Sequence, residues 1–576
     1  MSTLDWTVLF GTVFAIVVYG VWKERGAQSA ENYLRGGHDL RWWTIGLSIM
    51  ATQASAITFL SLPGQAFEDG MGFVQFYLGL PVAMVILSWV IVPIYYRLKL
   101  YTAYEYLEKR FDRKTRLLTA LLFLISRGLA AGISIYAPAI VLSTVMGWPL
   151  QLTNLAIGGV VIFYTVSGGT RAVSRTQTYQ MIVMLGGMVA AFIYIWSQLP
   201  SGLSLGAAAH IAGALGRMKM VDYSLRLDTR YTFWSGMTGG LFLALAYFGT
   251  DQTQVQRYLS GASLSESRLG LLMNGIVKIP MQLLILFVGV LLFVFYQFFP
   301  SPIFFNTAEW RTTLASSRGP EAHELETKWR VASSAKRERA LELASALSTS
   351  DPLKVEQSRV ALRSAQSSTD DLRRQAKTLV GQARPTADVK DADYVFIGFV
   401  LAHFPPGLVG LLLAVILCAA MSATASALNS LGSTTVVDFY RLYRPIDENK
   451  TPEENDRHSL RAAKLFTIFW GVLAVLFATF ASLVDNLIQA VNILGSIFYG
   501  PMLGIFLLGF FFPRVRATPA FIATLLAQLL VAALFLFTKV EFLWFNVIGS
   551  VCLIMFALVI NRSIAGRSPK NRSRQT

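Results

Sequence analysis

The sequence predicts an all-α membrane protein of thirteen transmembrane helices, and three observations predict it. The chain is 54% hydrophobic over 576 residues, with a mean hydropathy of +0.50. Apolar stretches recur at lengths near 20 residues, enough to cross a hydrocarbon core about 30 Å thick. The basic residues collect in alternate connections between those stretches, as cytoplasmic loops do.

In chain order the spans run 4–22, 42–67, 72–98, 117–146, 150–167, 178–199, 231–250, 269–299, 407–438, 461–482, 487–512, 518–538 and 542–562. The first lacks a basic leader and an A-x-A cleavage site, so it reads as a retained helix rather than a signal peptide. Residues 301–390 break the pattern. They are rich in Ala, Ser, Glu, Lys and Arg with apolar residues at helical spacing, and Thr349–Pro352 reads as a turn between two helices. The chain therefore divides into spans 1–8 (residues 1–300), a helical insertion outside the cytoplasm (301–393), spans 9–13 (394–562) and a basic tail (563–576).

Orientation follows from charge. The connections 23–41, 97–116, 168–177, 251–268, 439–461 and 513–517, with the tail, hold roughly 27 Lys and Arg, against about five on the other side. This places the N-terminus outside and the C-terminus inside a cytoplasmic (inner) membrane, as an odd number of spans requires. The net charge of +16 is thus a topology signal, and no nucleic-acid partner is implied. Cys418 and Cys552 both fall in apolar spans, so neither a disulfide framework nor a zinc site is indicated. None of His38, His210, His323, His403 and His458 sits in a metal motif, and the chain reads as no enzyme.

Two spans are interrupted. Span 2 carries Gln53, Ser55 and Thr58 mid-span and Pro63-Gly64 near its end; span 7 clusters Gly236, Gly239 and Gly240. Loosened helices persist in lipid only where they line a cavity or are buried in protein. Such segments at corresponding places in two halves point to a transporter's binding site. Spans 2 and 7 are five apart and cross in opposite directions, so spans 2–6 and 7–11 form two units of inverted topology. Span 1 leads and spans 12 and 13 trail.

Span 9 carries Ser422, Ser426, Asn429 and Ser433 at i, i+4, i+7 and i+11, one polar stripe on an otherwise apolar helix. Hydroxyls there, with carbonyls freed in span 2, offer the neutral oxygens that a small hard cation requires. Helix packing through small residues explains the same stripe equally well.

Three segments carry a family resemblance: Tyr164-Thr-Val-Ser-Gly-Gly-Thr-Arg-Ala-Val173, Asp251-Gln-Thr-Gln-Val-Gln-Arg257, and Ala419-Ala-Met-Ser-Ala-Thr-Ala-Ser-Ala-Leu-Asn-Ser430 with Asp438 closing the helix. The chain resembles the sodium:solute symporters, which include the glucose, proline and sialic acid carriers, over about residues 30–560 outside the insertion. The resemblance implies a leucine-transporter-type 5+5 inverted repeat and sodium as coupling ion, with no other cofactor. It implies a sodium site from the carbonyls of Ala51, Ala54 and Ala419 and the hydroxyl of Ser422. The family's second hydroxyl is replaced here by Ala423, and Thr424 lies about 200° round the helix from Ser422. A second sodium site in some relatives uses an acid where this chain has Arg175-Thr176-Gln177, so none is expected. Solute contacts are implied at Gln53 and Thr58 on span 2 and at Tyr247 and Phe248 on span 7. Gln489 and Asn492 precede Gly495 on span 11 and are placed facing the same cavity.

Ionisable residues inside a membrane are rare and usually functional. Arg127 lies about ten residues into span 4, roughly 15 Å deep, and Lys278 as deep in span 8. No acid is expected mid-span to pair with either, since Asp438 and Asp485 lie at helix ends. Each could snorkel to the interface, or Arg127 could face an anionic solute. The segment Gly132-Ile-Ser-Ile-Tyr-Ala-Pro-Ala-Ile140 also resembles the branch carrying monocarboxylates, iodide and vitamins. The expected activity is sodium-coupled symport of a small organic solute, an organic anion such as a monocarboxylate being favoured. Its partners are the solute, sodium and the bilayer, with no obligate protein partner implied. An ion-independent or proton-coupled carrier, or a non-transporting sensor on the same fold, are the alternatives.

Overall fold

The structure is a computed structural model that describes residues 1–23, 29–349, 351–385, 389, 391–444, 451–480 and 487–566. Those residues are almost entirely helical. The elements that position the site are α1 (Thr3–Lys23), α2 (Trp42–Gln53), α3 (Ala56–Asp69), α4 (Arg113–Met146) and α5 (Leu150–Ser197). They continue with α6 (Gly240–Gly249), α7 (Gln252–Leu259) and α8 (Leu264–Phe298). Next come α9 (Gly319–Thr349), α10 (Pro352–Ala383) and α11 (Leu408–Thr434). The last four are α12 (Pro452–Ala478), α13 (Leu487–Phe511), α14 (Ala517–Phe537) and α15 (Phe542–Gly566).

Among the described residues, nine helical stretches are long and apolar enough to cross a membrane. Two of them, Ala56–Leu98 with 43 residues and Leu150–Ser197 with 48, exceed the ~20 residues of one crossing. Within α5, Gly169 has φ +64 and ψ −171, which splits the helix. Spans 150–167 and 178–199 therefore meet at a kink, and the loop expected at 168–177 is helical on either side of Gly169. The left-handed φ favours glycine there, and so does space: a Cβ would come within 2.5 Å of the Tyr33 ring.

Span 2 is broken among its mid-span polar residues and not at Pro63-Gly64. The interruption falls between α2 and α3 at Ala54 and Ser55, where Ala54 has φ −82, ψ 82 and Ser55 φ −77, ψ 171. Helix α3 runs straight through Pro63-Gly64. Gly64 and Gly289 instead allow backbones to touch: a Cβ on Gly64 would come within 1.8 Å of the Ala392 carbonyl, and one on Gly289 within 2.1 Å of the Pro63 carbonyl.

Span 7 opens with a π-helical turn at Ser235–Gly239, continues as α6 and breaks at Thr250–Asp251 before α7. Gly236 and Gly240 again serve close approach, to the 3₁₀ segment Gly70–Tyr77 through the Gln75 and Phe76 carbonyls.

Helix α11 is the hub. Almost every side chain on it is buried, and it packs on α5, α4, α1, α12 and α3. Outside this core, α9 and α10 form a hairpin around Leu325, Trp329, Ala376, Leu379 and Val380. A short apolar helix, Ala392–His403, lies before α11 where no element was expected.

Candidate functional site

The break between α2 and α3 faces the polar stripe of α11. The Ser422 hydroxyl donates to the Ala51 carbonyl at 2.9 Å, so two of the four expected cation ligands meet. Ala54 stands at the break itself, its N–H donating to the Met50 carbonyl at 2.7 Å, and Ala419 lies nearly one turn before Ser422. All four are fully buried. Ala423 adds only a methyl. The Thr424 hydroxyl is buried without a partner, as its angular offset from Ser422 predicts.

Gln177 joins this cluster. Its amide nitrogen lies 2.9 Å from the Ser422 hydroxyl, 2.6 Å from Ser426 Oγ, 3.1 Å from Thr52 Oγ1 and 3.1 Å from the Ser422 carbonyl. Its carbonyl oxygen accepts from the Ser48 hydroxyl at 2.5 Å. The residue standing where some relatives have an acid thus puts a neutral donor among the hydroxyls. Further along the stripe, Asn429 donates to Thr170 Oγ1 at 2.7 Å, and Ser433 accepts from Gln256 at 3.3 Å. The stripe therefore bonds α11 to its neighbours along its length.

Beside the break lies a cavity of about 100 Å³ lined by Gln53, Thr58, Arg127, Tyr247, Asn492 and Tyr499, among others. Five of the seven expected solute contacts meet here. Phe248 does not line it; its ring packs edge-on against Tyr247, centroids 4.9 Å apart. Nor does Gln489, whose side-chain oxygen accepts from Arg230 at 2.6 Å, beside the Arg230–Glu541 ion pair. In this structure Phe248 packs into the core and Gln489 binds Arg230 near the start of α13.

Arg127 has an acid partner, contrary to expectation. Asp251, in the break after α6, accepts from the Arg127 guanidinium and from the Tyr499 hydroxyl at 2.8 Å. Tyr499 in turn accepts from Arg127 at 2.7 Å. The pair is 12% and 1% exposed, so neither group snorkels. Asp251 was visible in its motif, but a position just past the end of span 7 hid that the chain returns to the core there. Its Oδ1 also caps α7 through the Thr253 N–H at 2.8 Å. Arg127 Nε remains buried without a partner, as does the Gln53 carbonyl oxygen; both belong to residues lining the cavity. The Arg127 guanidinium also lies 5.4 Å from the centre of the Tyr247 ring.

Lys278 is fully buried, its Nζ without a partner among the described residues and 6.0 Å from the Tyr77 ring centre, so it does not snorkel either. Asp438, expected at a helix end, is buried and bound to Arg116 and Thr102 at 2.7 and 2.9 Å. Asp485 lies outside the described residues. Among the described residues no group of three or more His, Cys, Asp or Glu is placed to hold a metal.

A broken helix beside a buried polar seam and a small internal cavity, within a multi-pass helical bundle, define a membrane transporter. The model of the sodium:solute symporter family matches residues 33–318 and 375–527, and the chain belongs to that family. The human sodium/iodide cotransporter is 33% identical over 296 residues, 49% of this chain and less than half, 45%, of that protein. A sodium/sialic acid symporter of Proteus mirabilis is 26% identical over 565 residues, 96% of this chain and 93% of the relative. The solved substrate-bound, outward-open state of a Na⁺-coupled sialic acid symporter superposes with a TM-score of 0.73 at 24% identity, covering 98% of each chain.

Proposed function

We propose that this chain couples sodium to the movement of a small organic anion, a monocarboxylate being the type case, by alternating access across a cytoplasmic membrane. One observation carries the anion reading. Arg127 lines the cavity, and among the described residues its buried Nε has no partner, while its Nη2 alone serves both Asp251 and Tyr499. A carboxylate would supply the missing acceptor, and a charge-assisted bond is about twice as strong as a neutral one. The cavity's ~100 Å³ is about three waters' share of liquid volume, which suits a solute of a few heavy atoms.

The architecture supports the reading. Dividing Ala56–Leu98 at the 3₁₀ segment and Leu150–Ser197 at Gly169, and counting α1 and the α6 segment, gives thirteen crossings. Spans 2–6 and 7–11 are then the inverted repeats, with the basic loops and the tail inside and residues 301–393 outside. Ala51, Ala54, Ala419 and Ser422 hold the coupling ion; Gln53, Thr58, Arg127, Tyr247 and Asn492 contact solute. Sodium would tie the span 2 break to α11, and solute would bind against the ordered surface.

A second reading, an ion-independent carrier, draws on Gln177, whose amide hydrogens engage hydroxyls near the ion site. Uptake by Ser422→Ala decides between them. Sodium coupling at this site requires the variant to need far more sodium for half-maximal uptake while keeping its solute preference. An unchanged sodium response would remove the site assignment, and a wild type indifferent to sodium replacement would establish the second reading.

A further inference from the structure

Between the α9–α10 hairpin and the ends of α3 and α8 lies a second cavity, of about 240 Å³, which the transport site does not use. Lys336 projects into it from the apolar face of α9, one heptad after Trp329. It is only 5% exposed, and among the described residues it forms no hydrogen bond or ion pair. Its amine opens onto a polar, roomy cavity, where an anionic ligand would supply the acceptor that the described residues do not.

The other charges around the cavity reinforce this. Arg217, from the loop after helix Leu205–Ala214, has a buried Nε without a partner and lies 4.8 Å from the Phe293 ring centre. Arg373 is fixed by the Pro302 and Ile303 carbonyls at 3.0 and 3.3 Å and by the Trp329 ring at 5.2 Å. Arg374 and Lys377 complete five cationic side chains on the lining, against Glu68 and Asp370. Of these, Lys377 is committed to Glu68 and to Asp391, and Arg374 to Asp371.

We propose that this cavity binds a small, doubly charged oxyanion, with Lys336, Arg217 and Arg373 as its cationic contacts. The oxyanion cements the hairpin onto the membrane helices. In the empty cavity burial, with Arg373 adding to it and Asp370 opposing, pushes the Lys336 ammonium down from 10.5 to about 7. At pH 8 the amine is therefore mostly neutral, and an arriving dianion draws a proton onto it. Affinity falls as pH rises above about 7, because protonating the amine then costs progressively more.

Sulfate is the informative probe, since its own charge does not change near neutrality and any proton taken up belongs to the protein. Calorimetric titration of the intact protein at pH 8, in two buffers of different ionisation enthalpy, should give sulfate binding with uptake approaching one proton. Lys336→Met should weaken binding at least tenfold and abolish the uptake. Lys336→Arg should keep binding and lose the uptake, because a guanidinium is already charged. Lys336→Arg also guards against a variant that merely misfolds. A parallel titration with phosphatidic acid, a lipid whose phosphomonoester can carry two charges, asks whether the oxyanion is a lipid phosphate; competition would assign it so, and its absence would leave a soluble ion. No sulfate binding, or binding unchanged in Lys336→Met, would overturn the proposal.

Discussion

Arg127 and Asp251 come from α4 and from the break after α6, and each would be an uncompensated charge without the other. Removing one partner of a buried pair typically costs about 3–5 kcal/mol, whereas removing both can be nearly neutral. Asp251→Asn and Arg127→Met should each lower the melting temperature clearly, and the double variant should recover most of the loss. Solute binding should separate the two singles. Asp251→Asn keeps the guanidinium and should retain an anionic solute, while Arg127→Met and the double variant should lose it. If Asp251→Asn and Arg127→Met lose the solute equally, the pair is a structural clamp and the anion assignment fails. At this scale the sequence revealed the residues but not their partners. The family resemblance pointed to Gln53, Thr58 and Tyr247, and the position before Gly495 to Asn492, and all four line one cavity, yet the Arg127–Asp251 contact spans 124 residues. Nothing local in either segment announces it. Gln177 was read as a missing acid, and only the fold shows its amide nitrogen beside Ser422, Ser426 and Thr52.

Secondary structure was legible where polarity alternates with long apolar runs, and misleading where glycine and proline were taken as breakers. The real break in span 2 falls at Gln53-Ala54-Ser55, where Ser55 is a favoured N-cap for α3 but glutamine and alanine are good helix formers, so the break is not announced by local propensity. Pro63-Gly64 and the Gly236–Gly240 cluster instead let helices touch backbone to backbone, a demand set by neighbours distant in sequence. Those contacts are testable. A Cβ on Gly236 would lie 1.9 Å from the Gln75 carbonyl oxygen, whereas one on Gly159 or Gly186 would meet nothing within 4 Å. Gly236→Ala should therefore destabilise by about 1–3 kcal/mol through forced backbone shifts. Gly159→Ala and Gly186→Ala should leave the melting temperature unchanged or slightly raised, since alanine favours a helix over glycine. Equal effects at all three positions would mean the 3₁₀ segment yields freely to span 7.

For the whole molecule, the proposed ion site and the proposed solute site share one broken helix. Gln53 lines the cavity proposed for solute and Ala54 belongs to the proposed ion site, adjacent residues at the C-terminus of α2. A cation that fixes Ala51 and Ala54 against Ser422 therefore also fixes Gln53, and a solute holding Gln53 fixes the ion's carbonyls. Linkage makes that influence mutual: whatever factor sodium applies to solute affinity, solute must apply to sodium affinity. Each ligand alone should stabilise the native state by mass action, by about 2.7 kcal/mol at 100 times its Kd. Together they should stabilise by more than the sum of their separate effects. The measurement is the melting temperature of the purified protein in sodium chloride against choline chloride at equal ionic strength, across small monocarboxylates and larger sugars and sialic acid. A shift with small carboxylates that grows in sodium, and a sodium shift that grows by the same free energy with carboxylate present, would establish coupling through the shared break. Additive shifts would mean two independent sites, and the α2–α3 break would then be a hinge for movement without being the link between ion and solute.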